Sequence, residues 1–375
     1  MSKASGRLTG NVGEFSEPYV VAKLLVDGQV PVINSMGEKS GAFISIRGVK
    51  RIERNRAVVY IQREDQDYSC MVNDAELPPN RYSKLHDLIV SLLSEIKSID
   101  KEPERKVTKQ TFYCPSAEAL ISALSFSALK AKSDEKSDIT LRIADSFSVN
   151  GVREAGFTIK SRLGSAPSLA NAGATVFKYN VTCQTLSTLD DPAIADLTGK
   201  ALIRKLIALP GFKYDFLGVA NEVYGQNLRM IDSLFAPMVA AALFHSYHVV
   251  GGHFSEIIED ERFVVKLNEI CGIHENLRFF VHKFKDFLKQ SALGMQPKTP
   301  WNGSNEVTGG ALIVQPDGQV VCLCTDKDTD FRDYLFDNCR FETPSSGEGD
   351  NKLCALRKDA AGNYWIHLSL QIRFK

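Results

Sequence analysis

The chain has 375 residues, 44% of them hydrophobic and 24% charged, an ordinary soluble composition with length for two domains and a sizeable core. Its 45 basic and 45 acidic residues give a formal net charge of zero; this argues mildly against a uniformly basic nucleic-acid binder, but not against one with a basic face and an acidic site. No apolar run approaches the roughly 20 residues of a membrane helix, and Met1–Gly10 lacks the apolar core of a signal peptide, so a cytoplasmic protein with no membrane partner is expected.

Glu14–Val26 reads as an amphipathic helix stopped by Asp27-Gly28. Pro18 is tolerated only in a first turn, which predicts a start near Ser16 or Glu17. Ala42–Ile46 reads as a strand and leads into Arg47–Arg56, a run of five basic residues and one acid, Glu53. Ala57–Gln62 is a second strand, Leu77–Arg81 a turn and Tyr82–Ile99 a long helix. The charged, proline-containing Lys101–Gln110 is a link. Ser116 is expected to cap a helix over Ala117–Leu129.

A hairpin follows. Asp138-Ile-Thr-Leu-Arg-Ile-Ala and Gly156-Phe-Thr-Ile-Lys160 both alternate, and Val176–Leu186 reads as a third strand. From Asp191 the pattern turns helical, most clearly at Thr198–Leu209, Ile231–His245 and Leu277–Leu293. From Gly309 it is strand-like to the end. The expected fold class is α/β (α+β), a mixed sheet flanked by helices, with a mainly helical middle and a β-rich C-terminal region.

The eight cysteines form no CxxC pair and read as reduced, buried thiols. His245, His248 and His253 cluster in sequence, but Val239–Val250 reads as a buried helix, where packed histidines are commoner than metal ligands.

The hairpin carries the chemistry. Residues two apart in a strand share a face, so Ile139, Leu141, Ile143, Phe157 and Ile159 point to a core. Asp138 and Lys160 share the opposite, polar surface. A carboxylate suits magnesium, which prefers oxygen ligands, and an ammonium beside it can orient water and stabilise charge on a phosphate. A second acid is needed, and position 158 is threonine. Glu17 and Glu14 on the first helix, and Glu154 on the hairpin, are the alternatives; the Gly13-x-x-x-Glu17 start favours Glu17.

Longer stretches sharpen this reading. Gly13-Glu-Phe-Ser-Glu17 with Lys23-Leu-Leu, Gly156-Phe-Thr-Ile-Lys-Ser161 with Ala166-Pro-Ser-Leu and Asn171-Ala-Gly-Ala-Thr, Asn227–Ser233, Gly294–Trp301, Arg340–Ser346 and Leu368–Phe374 occur in order. Together they resemble the HpaII-type type II restriction endonucleases. The resemblance implies a PD-(D/E)XK nuclease core and Mg2+-dependent, sequence-specific double-strand cleavage of DNA, with CCGG the target of the namesake enzymes. It implies Asp138 as metal ligand, Lys160 as catalytic lysine and Glu17 as the helical glutamate, with Glu14 or Glu154 in reserve because Thr158 stands where the family pattern has an acid. Expected partners are double-stranded DNA, a second copy in a homodimer for a palindromic target, and a cognate DNA methyltransferase.

The region 1–110 then contributes the site helix and a DNA-contacting hairpin, 111–190 the catalytic core, and 191–375 recognition or dimerisation. Candidate DNA contacts are Arg47, Lys50 and Arg51 in the basic run, Arg162 after the hairpin, Asn171, and Asn338, Arg340, Ser345 and Ser346 in a polar C-terminal loop. Thr158 keeps open a non-cleaving DNA-binding protein on a degenerate scaffold, and a structure-selective repair nuclease is a third reading.

Overall fold

A computed structural model describes residues 8–54, 56–62, 68–77, 85–99, 105–108, 111–131, 137–249, 251–272, 276–344 and 354–375. Among them are eleven α-helices and four sheets, a mixed α and β architecture as expected. The chain forms two compact units. The first joins Met1–Pro167 to Asn305–Phe331, and the second joins Ser168–Ser304 to Arg332–Lys375. This partition by contact differs from the three contiguous regions drawn by function.

The first unit is built on a nine-stranded mixed sheet. Its order is Gln29–Ile33, Val320–Cys324, Gly310–Val314, Val152–Ser161, Ile139–Ala144, Lys39–Glu53, Arg56–Gln62, Tyr68–Val72 and Ala75–Leu77. Lys39–Glu53 also pairs with Gln29–Ile33 through its first half, so the sheet curls back on itself. The predicted hairpin is present, antiparallel, with Ile139 opposite Phe157. Ile139, Leu141, Ile143 and Phe157 are buried, as the alternation requires, whereas Ile159, expected with them, is half-buried and packs against the same core. They share one core with Phe15, Tyr19, Val20 and Leu24 of the first helix, Val12–Asp27.

That helix starts earlier than expected. Asn11 accepts from the Glu14 N–H while Glu14 Oε2 accepts from the Asn11 N–H, a capping box that fixes the N-terminus. Pro18 therefore lies inside the helix. Its missing donor costs about 3 kcal/mol, which burial of Phe15, Tyr19, Val20 and Leu24, at about 1.5–3 kcal/mol each, offsets. Gly28 ends the helix at φ 66°, as Asp27-Gly28 predicted.

Three other expectations change. Ser116 caps nothing: the helix is Pro115–Ala123, its N-cap is Cys114, and proline starts it. Val176–Thr182 does not extend the hairpin but belongs to the second unit, between Lys213–Val219 and Tyr364–Ser369. The hairpin's neighbour is instead Gly310–Val314, parallel to Val152–Ser161. The expected turn at Pro78–Arg81 lies outside the described residues.

In the second unit Phe235–Ser246 is an almost wholly buried helix. Phe244 stacks on Tyr214 with ring centroids 3.9 Å apart. Asn227 donates to the Gln296 and Thr299 carbonyls and accepts from the Trp301 N–H, each at 2.9 Å. The Asn227–Ser233 and Gly294–Trp301 stretches are thus one structural unit. Buried His245 bonds Asp260 at 3.1 Å, the packed role expected of it. Among the described residues no single helix is long and apolar enough to cross a membrane.

Candidate active site

Asp138 lies at the mouth of the hairpin. Its N–H donates to the Phe157 carbonyl, and its Oδ2 accepts from the Ile159 N–H at 2.6 Å and from Thr158 Oγ1 at 3.1 Å. Among the described residues no hydrogen bond reaches Oδ1. Thr158 is buried. Its hydroxyl fixes Asp138. A Cβ on Gly156, two residues earlier, would meet the Glu306 carbonyl oxygen at 3.0 Å and Ser137 Cβ at 2.9 Å, so close approach keeps this position glycine. Lys160 follows Thr158 on the same face, about 7 Å further along the strand, half-buried and without an ion-pair partner among the described residues.

Glu17 projects from the first helix. Its Oε2 accepts from Arg51 Nη2 at 3.2 Å and from the Ala131 N–H at 2.9 Å. Among the described residues Oε1 accepts no hydrogen bond. Burial, and next the negative charge of Asp138, raise its carboxyl from 4.5 to about 7 against the pull of Arg51, the Ala131 N–H and Lys130. Glu17 is therefore within electrostatic reach of Asp138.

The reserve carboxylates are not brought to this point. Glu14 is occupied in the capping box and pairs with Lys130 at 2.6 Å. Glu154 is exposed, lies 4.0 Å from Arg142, and sits four residues from Thr158, about 13 Å along the strand. No group of three or more His, Cys, Asp or Glu side chains is arranged to hold a metal among the described residues. Asp138 and Glu17 do fit a hard cation: each is a carboxylate with one oxygen held by protein donors and the other open.

Arg51 is corrected outright as a DNA contact. It is 1% exposed and bonded to Glu17 and Glu53, because the basic run continues the strand and positions 49, 51 and 53 face inward. In the sequence, the signal for this is the shared strand parity of Val49, Arg51 and Glu53, which puts a cation and an acid on one face with an apolar residue. Arg47 is exposed and bonds Gln62, and Lys50 is half-buried. Arg162 lies directly after the second hairpin strand, its N–H bonded to Val314. In the second unit Asn171 is exposed, whereas Asn338 Nδ2 caps its own helix on the Tyr334 carbonyl. Arg340 lies in the strand Cys339–Phe341 rather than a loop and pairs with Glu342 at 3.2 Å. Ser345 and Ser346 lie outside the described residues.

The chain is 31% identical over 369 residues to the type II restriction enzyme HpaII of Haemophilus parainfluenzae, covering 98% of each chain. No solved structure matches it. The family model described as HpaII restriction endonuclease matches residues 11–374. The chain belongs to the HpaII restriction endonuclease family.

Proposed function

We propose that this type II site-specific deoxyribonuclease makes Mg2+-dependent double-strand cuts at CCGG or a related short site, using Asp138, Glu17 and Lys160 on a PD-(D/E)XK core. The observation that supports the reading is that Asp138 Oδ1 and Glu17 Oε1 accept no hydrogen bond among the described residues while the Asp138 charge acts on Glu17, and that Lys160, on the Thr158 face of the hairpin, has no ion-pair partner there. Asp138 and Glu17 would hold the cation, which when bound supplies Lewis acidity to the scissile phosphate. Thr158 Oγ1 and the Ile159 N–H orient Asp138 and leave its other oxygen facing the reaction centre. Lys160 orients the attacking water and stabilises charge on the phosphate oxygens.

Arg47, Lys50 and Arg162 contribute phosphate contacts, and Asn171 and Arg340 contact DNA from the second unit. A palindromic target calls for a two-fold dimer. A cognate cytosine methyltransferase protects the host genome, and both proteins act in the cytoplasm.

Digestion of unmodified DNA of known sequence with Mg2+, followed by sequencing of the fragment ends, tests the reading. One short motif at every end and no cutting in EDTA are expected. Ends without a common motif would indicate a structure-selective nuclease. Gel shifts without cutting, unchanged by Asp138→Asn, would indicate a non-cleaving binder.

A further inference from the structure

Arg51 is the largest fully buried side chain among the described residues. An ionised group is buried only where its partners compensate for lost water, and Glu17 is one of the partners of Arg51. Nη1 donates to the Ala128 carbonyl at 2.9 Å and lies 3.5 Å from Glu53 Oε1. Nη2 donates to the Leu129 carbonyl and to Glu17 Oε2. The guanidinium lies 4.3 Å from the centroid of the Phe126 ring. Glu53 is itself anchored by the Ser127 N–H at 3.0 Å and by the Ser127 hydroxyl.

Glu53 faces both Arg51 and Arg56, whose Nε lies 3.4 Å from Glu53 Oε2, so Glu17 also offsets the buried cation; charge alone does not set how the second edge of the fork meets it. That edge ends on Glu17 Oε2, and so does the Ala131 N–H. Two donors from two segments converge on one oxygen of a side chain with three free torsions and leave the other oxygen open. Planar, five-donor arginine makes such a contact and lysine does not.

We infer that Arg51 is a positioning residue: with the Ala131 N–H it clamps Glu17 Oε2 and presents Oε1 to the divalent cation. This rests on the reading of Glu17 as a metal ligand. Partners behind a ligand are worth about 10–100-fold in metal affinity.

The test is Mn2+ titration of the DNA-free, full-length protein by calorimetry, with circular dichroism to check folding. Arg51→Lys keeps the cation and loses the fork; its Mn2+ affinity should fall about tenfold or more. In a Glu17→Gln background the same substitution should change affinity less than about twofold, since the contact it removes is already gone. Ala131→Pro deletes the other arm with Arg51 intact, should follow the same pattern, and decides the matter if Arg51→Lys does not fold. Folded variants with wild-type affinity, or equal losses in both backgrounds, overturn the clamp. If Glu17→Gln itself leaves Mn2+ affinity intact, Glu17 is not a ligand and the parent reading of that residue fails; loss with Glu17→Gln but not with either arm removes the clamp alone.

Discussion

The Ser16 hydroxyl is hydrogen-bonded to the Ser161 hydroxyl at 2.7 Å, and each serine is the immediate neighbour of a candidate catalytic residue. Ser16 precedes Glu17 on the first helix, and Ser161 follows Lys160 on the second hairpin strand. One buried contact therefore sets helix against strand beside both Glu17 and Lys160. Ser161→Ala should cost about 1 kcal/mol in urea unfolding and slow single-turnover cleavage several-fold, with DNA affinity unchanged. Wild-type stability and rate together would show that the contact positions nothing.

Lys160→Ala should reduce single-turnover cleavage by roughly 10²–10³-fold or more, the scale of losing one stabilising donor, while DNA binding and folding persist. Thr158→Val keeps the shape but removes the hydroxyl from Asp138. It should cost about 0.5–1.5 kcal/mol of stability and lower the cleavage rate less than Lys160→Ala does. The reverse order of the two rates would count against these roles.

Glu17 makes stability depend on pH in a defined direction. Its carboxyl is raised from 4.5 to about 7, chiefly by burial and then by Asp138. Between those values the folded chain holds more protons than the unfolded one, so the contribution of Glu17 to stability falls as pH rises from 4.5 to 7 and is level above that. In EDTA, Glu17→Gln should flatten this decline and be the more stable protein at pH 8, by on the order of 2 kcal/mol. Unfolding curves at pH 5 and pH 8 decide it; an unchanged slope would refute the assignment.

The second unit carries an opposite case. The hydrogen bond from His245, then its charge, hold the Asp260 carboxyl down at about 2, and Asp260 also caps the helix Glu261–Cys271 through the Arg262 N–H. A depressed acid adds stability above its unfolded value near 3.8, which is lost as pH falls through about 2. Asp260→Ala should cost about 1–2 kcal/mol at neutral pH. Asp260→Asn, which keeps a cap, should cost less, and its difference from wild type should narrow as pH falls through that window.

The local parts of this fold were legible. Strict alternation gave the hairpin faces, and Asp27-Gly28 gave the helix stop. Phe235–Ser246, Gly199–Ile207 and Asn276–Ala292 lie within one to four residues of their predicted bounds. What failed was non-local or set by competition between terms. No periodicity announces that Gly310–Val314 pairs with a strand some 150 residues earlier. Propensity rules reject Pro18 inside a helix, because they do not weigh the core that helix buries. Of the site, Asp138 and Lys160 could be proposed from strand parity. The Arg51 fork, the Ser16–Ser161 contact and the Thr158 hydroxyl depend on which elements meet, which is tertiary information.

The parallel strand Gly310–Val314 sets a schedule as well as a shape. At about 5–20 residues per second of synthesis, roughly 7–30 s separate the emergence of Ser161 from that of the strand beside it. Until then the strand bearing Lys160 is an open edge, and a ribosome-bound chain holds only part of the first unit. Long-range pairing thus completes this sheet only once most of the polypeptide exists.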